Sequence, residues 1–367
     1  MPIITYREAL RQALIHEMDR DESVYVIGEE VALYQGTFRV TEGLLARYGP
    51  RRVIDTPISE AGFSGVGIGS AIVGLRPVVE FMTMNFAIMA LDQLLNHAAK
   101  YHYMSGGQLR VPIVFRGPSG PGRGLAAQHS QSLEAWYAHT PGCKVVLPAT
   151  PADAKGLLIS AIRDENPVLV LEHAGLYTLR GEVPDGEYVV PLGTASVMRP
   201  GEDVTIVSYS RMAQTCLRAA EKLAEEGISA EVIDLRSLRP LDIETVASSV
   251  RKTNHAVVAH EAWRFCGAGA EIAAEIYEQA IDYLDAPVER VAGEDVPMPY
   301  AQNLERLAVP DINRVVAAAK RTLWRADKTA AHGEGGSQHG PVGDAENGRH
   351  HGGGHNSAVA QEARRSG

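Results

Sequence analysis

Short, continuously apolar runs alternate with stretches of helical period along most of the chain, and this alternation limits the fold more than any other feature. Val24-Tyr-Val-Ile-Gly28, Arg76-Pro-Val-Val-Glu-Phe81, Val111-Pro-Ile-Val-Phe115, Lys144-Val-Val-Leu147 and Val168-Leu-Val-Leu-Glu172 read as strands. They lack the in-and-out alternation of a sheet with one wet face, so both of their faces must be covered. Helical patterns lie between them. Thr5–Arg20 carries Ala9, Leu10, Ala13, Leu14 and Met18 on one face, a long pattern runs from Phe86 to Met104, and another covers Pro151–Arg163. Strands of this kind joined by helices build a parallel sheet between two helical layers.

The pattern pauses between Gly175 and Asp203, where Gly, Pro and charge accumulate, and then restarts. Val204-Thr-Ile-Val207, Ala230-Glu-Val-Ile-Asp234, Ala256-Val-Val-Ala259 and Val288-Glu-Arg-Val-Ala292 read as strands. Ala213–Glu226, Asp242–Val250, Ala268–Gln279 and Asp311–Trp324 read as helices. The expected fold class is therefore α/β: two three-layer α/β/α domains with largely parallel sheets. Residues 1–175 form the first domain, 176–203 a linker with little regular structure, and 204–325 the second domain. Residues 326–367 turn to Gly, His and small polar residues without apolar periodicity, which predicts disorder. His350, His351 and His355 fall there, where nothing fixes a coordination geometry.

At 45% hydrophobic, the 367 residues can fill a large core. A net charge of -10 argues against general nucleic-acid binding, which needs clustered Lys and Arg. Cys143, Cys216 and Cys266 give neither a disulfide framework nor zinc spacing. No basic segment leads into an apolar run at the start, and no run reaches membrane-spanning length. A cytoplasmic protein without nucleic-acid or membrane partners is expected.

Besides the strand end at Glu80–Phe86, three segments could carry chemistry. In Asp55-Thr-Pro-Ile-Ser-Glu60-Ala-Gly-Phe-Ser-Gly-Val-Gly-Ile-Gly69, Pro57 ends an extended run and Ser59 is a candidate N-cap. Glu60 then opens a helix whose glycines each cost up to about 1 kcal/mol against alanine. Such a helix admits another backbone or a ligand closely. By itself an acid at a helix start is ordinarily a surface residue that satisfies the dipole. Gly65-Val-Gly-Ile-Gly69 lies inside that helix rather than between a strand and a helix, so it is no dinucleotide fingerprint. Glu80-Phe-Met-Thr-Met-Asn-Phe86 places apolar groups at a strand's C-terminal end, where parallel sheets bind ligands.

The second segment is the long Gly/Pro-rich loop after Phe115, which ends in Gln128-His-Ser-Gln131. Loops of that kind in compact domains are usually functional, and His129 could move protons near neutral pH. The third is Ala161-Ile-Arg-Asp-Glu-Asn-Pro167. It offers oxygens to a hard cation, although on the residues alone helix-stop and Asn-Pro turn chemistry is the favoured explanation.

Asp55-Thr-Pro-Ile-Ser-Glu60, Gly74-Leu-Arg-Pro77, Tyr103-Met-Ser-Gly-Gly107, Pro112-Ile-Val-Phe-Arg-Gly117, Gln128-His-Ser-Gln131 and Asp153-Ala-Lys-Gly-Leu157 together resemble the β subunits of the thiamine-diphosphate-dependent pyruvate dehydrogenase first component. The resemblance runs from residue 2 to 324. It implies a transketolase-like pyrimidine-binding domain, a transketolase C-terminal domain and an α2β2 heterotetramer. It also implies thiamine diphosphate shared with an α subunit, which mainly holds the magnesium. Glu60 matches the acid facing the cofactor pyrimidine, Ile58, Met82 and Phe86 its pocket wall, and His129 the active-site histidine. Ile113, Ala161, Ile162, Asp164 and Asn166 match a structural potassium site built mostly of backbone oxygens.

The α-type Gly-Asp-Gly diphosphate motif has no counterpart here, so the chain is expected to supply half a site and to need its α partner. The implied reaction is oxidative decarboxylation of pyruvate with acetyl transfer to lipoyl groups of a dihydrolipoyl acetyltransferase core. Two alternatives stand beside it: a β subunit acting on branched-chain 2-oxo acids or acetoin, and a non-catalytic scaffold subunit.

Overall fold

The computed structural model describes residues 1–323; the expectations for 326–367, including its histidines, lie outside them. The first half supplies β1 (Ile3–Thr5), α1 (Tyr6–Arg20), β2 (Val24–Gly28), α2 (Leu44–Tyr48), β3 (Val53–Asp55), α3 (Glu60–Ile72) and β4 (Arg76–Glu80). It continues with α4 (Tyr101–Met104), β5 (Val114–Ser119), α5 (Glu134–Ala138), β6 (Lys144–Val146), α6 (Pro151–Arg163), β7 (Val168–His173) and β8 (Arg180–Glu182). The second half supplies β9 (Ser196–Arg199), β10 (Val204–Ser208), α7 (Ser210–Glu225), β11 (Ala230–Asp234), β12 (Ser237–Arg239) and α8 (Ile243–Thr253). It ends with β13 (Ala256–Trp263), α9 (Ala268–Ala280), β14 (Glu289–Gly293), α10 (Gln302–Ala308) and α11 (Ile312–Thr322).

Continuous apolar strands do become doubly covered parallel sheets. The larger sheet has seven strands in the order β12-β6-β7-β5-β4-β2-β3, all parallel except β12. The second has five, β14-β13-β10-β11-β9, all parallel except β9. Every residue of β2, β7, β10 and β11 is buried. One core cluster takes Phe81 and Phe115 from the first sheet and Val207, Ile233 and Val258 from the second, so the two halves share apolar interior.

Local capping explains the best-read helices. Thr5 caps α1 reciprocally with Glu8, and Thr150 caps α6 by accepting from the Asp153 N–H. In α3, a side chain at Gly67 would meet Val79 Cγ2 at 2.8 Å, so this glycine lets the helix lie close on β4. Phe63 of α3 packs on Phe81, with ring centroids 5.5 Å apart.

Several expectations are corrected. The long helix from Phe86 to Met104 is instead a 3-10 turn at Ala87–Ala90, a π-helical stretch at Gln93–Ala98, and α4. Ala87, Ala90, Leu94 and Ala98 are all buried, so apolar spacing is preserved while the winding changes. The strand expected at 111–115 begins its ladder only at Val114, beyond Pro112, which has no N–H to donate. The stretch expected to have little regular structure contains β8, paired antiparallel with β1, and β9, an edge of the second sheet. β12 and α10 are further elements that the sequence reading missed.

Candidate functional site

Parallel alignment brings the C-terminal ends of β3, β2, β4 and β5 to one edge. α3 starts at Glu60 directly after β3, which sets the carboxylate at the positive end of the helix. Ser59 occupies the N-cap position, but its side chain makes no capping bond, contrary to expectation. Asp55 draws in the segment after β2: its carboxylate accepts from the Ala32 N–H at 2.6 Å and the Leu33 N–H at 3.0 Å.

That arrangement exposes a residue the sequence reading passed over. Glu29 follows β2 directly and is only 5% exposed. Its Oε2 accepts from the Met82 N–H at 3.2 Å, while its buried Oε1 has no hydrogen-bond partner among the described residues. Burial raises the Glu29 carboxyl above its ordinary range; the Met82 N–H opposes the rise, and the charge of Glu60 adds to it. The signal available in the sequence was an acid at the end of a buried strand.

Met82 and Phe86 are half-buried, and Ile58 is 79% exposed. The rings of Phe86 and His129 meet nearly at right angles, with centroids 5.0 Å apart and an interplanar angle of 81°. His129 is exposed at the end of a 3-10 turn, Ala127–His129. Asn85 anchors that loop, its Oδ1 accepting from the Gln131 N–H at 2.8 Å. Thr83 Oγ donates to the Pro118 carbonyl at 3.2 Å. The 82–86 segment thus joins the Glu60–Glu29 pair to the His129 loop.

The cation candidates gather where α6 turns into β7. The Ile113 carbonyl accepts from the Val168 N–H at 2.9 Å, and that of Ala161 from the Asp164 N–H at 3.3 Å. Asn166 donates from its backbone N and its Nδ2 to Asp164 Oδ1, at 2.9 and 2.8 Å. The carbonyls of Ile162 and Asp164 converge on Nη1 of Arg76, at 3.0 and 3.2 Å. These oxygens suit a hard cation, and each carbonyl has a second lone pair. Among the described residues no group of three or more His, Cys, Asp or Glu could hold a metal ion, so a cation here would rely on main-chain oxygen.

A cavity of about 870 Å³ lies elsewhere, lined by Leu91, Trp136, Leu238, Arg239 and Ile272 among others, and none of Glu29, Glu60 or His129 borders it. Of these three, Glu29 is buried, Glu60 half-buried and His129 exposed. Among the described residues no helix is long and apolar enough to cross a membrane.

Residues 3–180 match the family described as transketolase, pyrimidine binding domain, and 193–315 match transketolase, C-terminal domain. The chain is 55% identical to the pyruvate dehydrogenase E1 component subunit beta-2, mitochondrial, of Oryza sativa subsp. japonica, over 89% of this chain and 88% of that one. It is 53% identical to the pyruvate dehydrogenase E1 component subunit beta of Rickettsia felis, over 88% of this chain and 98% of that one. A solved structure titled split gene transketolase, inactive beta4 tetramer, superposes with a TM-score of 0.73 at 26% identity, over 88% of this chain and 99% of that one. The two-domain transketolase-like fold, the acid pair on its sheet edge and this likeness agree: the chain belongs to the family of pyruvate dehydrogenase E1 component β subunits.

Proposed function

We propose that the chain is the β half of a thiamine-diphosphate-dependent pyruvate dehydrogenase, active with an α subunit in an α2β2 assembly. The observation that carries this reading is Glu29, buried with one carboxylate oxygen unpartnered among the described residues, sensing the charge of Glu60 at the same sheet edge. A cofactor amine or ring nitrogen fits the unpartnered carboxylate oxygen, and a second subunit would cover the ligand. Thiamine diphosphate, when bound, supplies the electron sink for breaking the carboxyl bond of a 2-oxo acid. Glu60 would hold a proton at the pyrimidine N1′ atom, with the buried Glu29 near it. Ile58, Met82 and Phe86 would pack against the ring and exclude water. His129, steered by Phe86, would give and take protons as the acetyl group passes to a lipoyl group of the acetyltransferase core.

The finer parts of the reading follow from the same site. The diphosphate and its magnesium would sit on the α subunit. Potassium would lie among the oxygens of Ile113, Ala161, Ile162, Asp164 and Asn166, sharing two of them with Arg76. A cytoplasmic setting belongs to the same reading; the rice relative is named mitochondrial.

The test is an assay of the purified chain with and without a co-expressed α subunit, against pyruvate, 2-oxoisovalerate and acetoin. Turnover of pyruvate by the pair alone is expected. Turnover by the lone chain, or preference for another substrate, overturns the assignment.

A further inference from the structure

The loop that carries His129 has an unusual backbone. Gly120, Gly122, Gly124 and Ala126 have φ of 79°, 108°, 64° and 63°, while Pro121, Arg123 and Leu125 do not share that region. Alternation of this kind turns backbone N–H groups to one side and forms a concavity that attracts an anion. Here the anion is a side chain of the second half of the chain. Glu305 of α10, only 5% exposed, accepts with Oε1 from the Gly122 N–H at 2.8 Å and the Gly124 N–H at 3.3 Å. Its Oε2 accepts from the same Gly124 N–H at 3.2 Å.

A second grip lies next to the first. Arg211 of α7 donates from Nη1 to the Pro121 carbonyl at 3.4 Å and pairs through Nε with Glu261 Oε1 at 3.0 Å. The other oxygen of Glu261 lies 2.7 Å from Nε2 of His173. Because His173 Nδ1 accepts from the Gly175 N–H at 2.9 Å, the proton sits on Nε2 and is donated to Glu261. The loop between Pro121 and Gly124 is therefore clasped by groups from the other sheet's domain, immediately before the turn that ends at His129. A side chain at Gly122 would collide with Arg211 as well as strain the positive φ.

We propose that Glu305 is a positioning residue for His129: its carboxylate fills the concavity of residues 120–126 and so fixes where the imidazole stands beside Phe86. This rests on the reading of His129 as the proton carrier of acyl transfer. Displacing a reacting group by about 1 Å can cost up to about a hundredfold in rate. A buried carboxylate that only stabilised the fold would lower the melting point without favouring one chemical step over another.

The experiment uses the co-expressed α–β enzyme. Glu305→Ala is expected to slow reductive acylation of lipoyl groups about ten- to a hundredfold, and decarboxylation with an artificial acceptor much less. Glu305→Gln keeps one oxygen that both N–H groups can reach, and should restore most of the rate. Should Glu305→Ala fail to assemble, Glu305→Asp keeps the charge, loses the reach and should show the same split in smaller measure. Combining Glu305→Ala with His129→Ala should be no worse than His129→Ala alone. Hydrogen exchange at Gly122 and Gly124 should quicken in Glu305→Ala. Unchanged exchange, or losses that multiply in the double variant, overturns the proposal. If His129→Ala itself leaves acylation intact, the reading of His129 falls first.

Discussion

Arg116 grips Glu172 with two nitrogens, Nε at 2.5 Å from Oε1 and Nη2 at 2.7 Å from Oε2, while its Nη1 contacts Glu80. The three residues lie on β5, β7 and β4, under the edge that carries the acids and the histidine. Tyr177 adds its hydroxyl to Glu172 Oε2 at 2.7 Å. Arg116→Met would strand two buried carboxylates, and breaking such a pair costs about 3–5 kcal/mol. Urea unfolding should register that loss. A change below about 1 kcal/mol would mean that desolvation already offsets the pairing.

The same cluster sets a pH dependence. Burial pushes the Glu80 carboxyl up to about 6, with Arg116 pulling the other way and Glu172 adding to the rise. The folded chain then binds this proton more tightly than the unfolded chain, so Glu80 lowers stability as pH climbs from its unfolded value toward 6. Relative to Glu80→Gln, the wild-type chain should lose roughly 2 kcal/mol across that window and nothing further above it. Melting curves at pH 4.5 to 7.5 would check this; a difference that grows with pH in the wild type's favour refutes it.

On the proposed function, Glu60→Gln preserves shape but removes the group that would hold a proton at N1′. Assembly and melting point should be unchanged, since Glu60 is only half-buried at its helix start. Activity should fall about 10²–10⁴-fold, the usual span for a lost acid or base. Residual activity within about threefold of wild type would move the role to Glu29.

His129→Ala separates packing from proton transfer. The imidazole is exposed and meets the Phe86 ring nearly at right angles, so the melting point should move little. Reductive acylation of lipoyl groups should suffer more than decarboxylation measured with an artificial electron acceptor, because the cofactor supplies the electron sink for the second but not a proton donor for the first. Equal losses in the two assays would remove that division of labour.

The sequence made the sheets legible because burial on both faces leaves a run such as Val24–Gly28 or Ala230–Asp234 apolar from end to end. Pro151–Arg163 was legible to the residue because Thr150, Pro151 and the helix stop at Asp164 bracket it. The winding between Phe86 and Met104 was not, because the same apolar spacing serves 3-10, α and π turns. β9 and β12 are too short to show a period. Glu60 and His129 were marked by their positions after strands and by the family motifs around them. Glu29 went unmarked; what distinguishes it is the N–H of Met82, 53 residues away. Glu305 meets Gly122 across 183 residues, a distance that no local pattern records.

β12 crosses from the second half to pair with β6, and its Ser237 hydroxyl reaches the Val145 carbonyl 92 residues earlier. During translation, the first sheet therefore emerges with a bare flank that only later-made chain can close. An unpaired edge is a template for wrong partners. The order of synthesis thus opens an interval in which the nascent polypeptide is prone to misassociation, and a first domain expressed by itself would stay in that interval permanently.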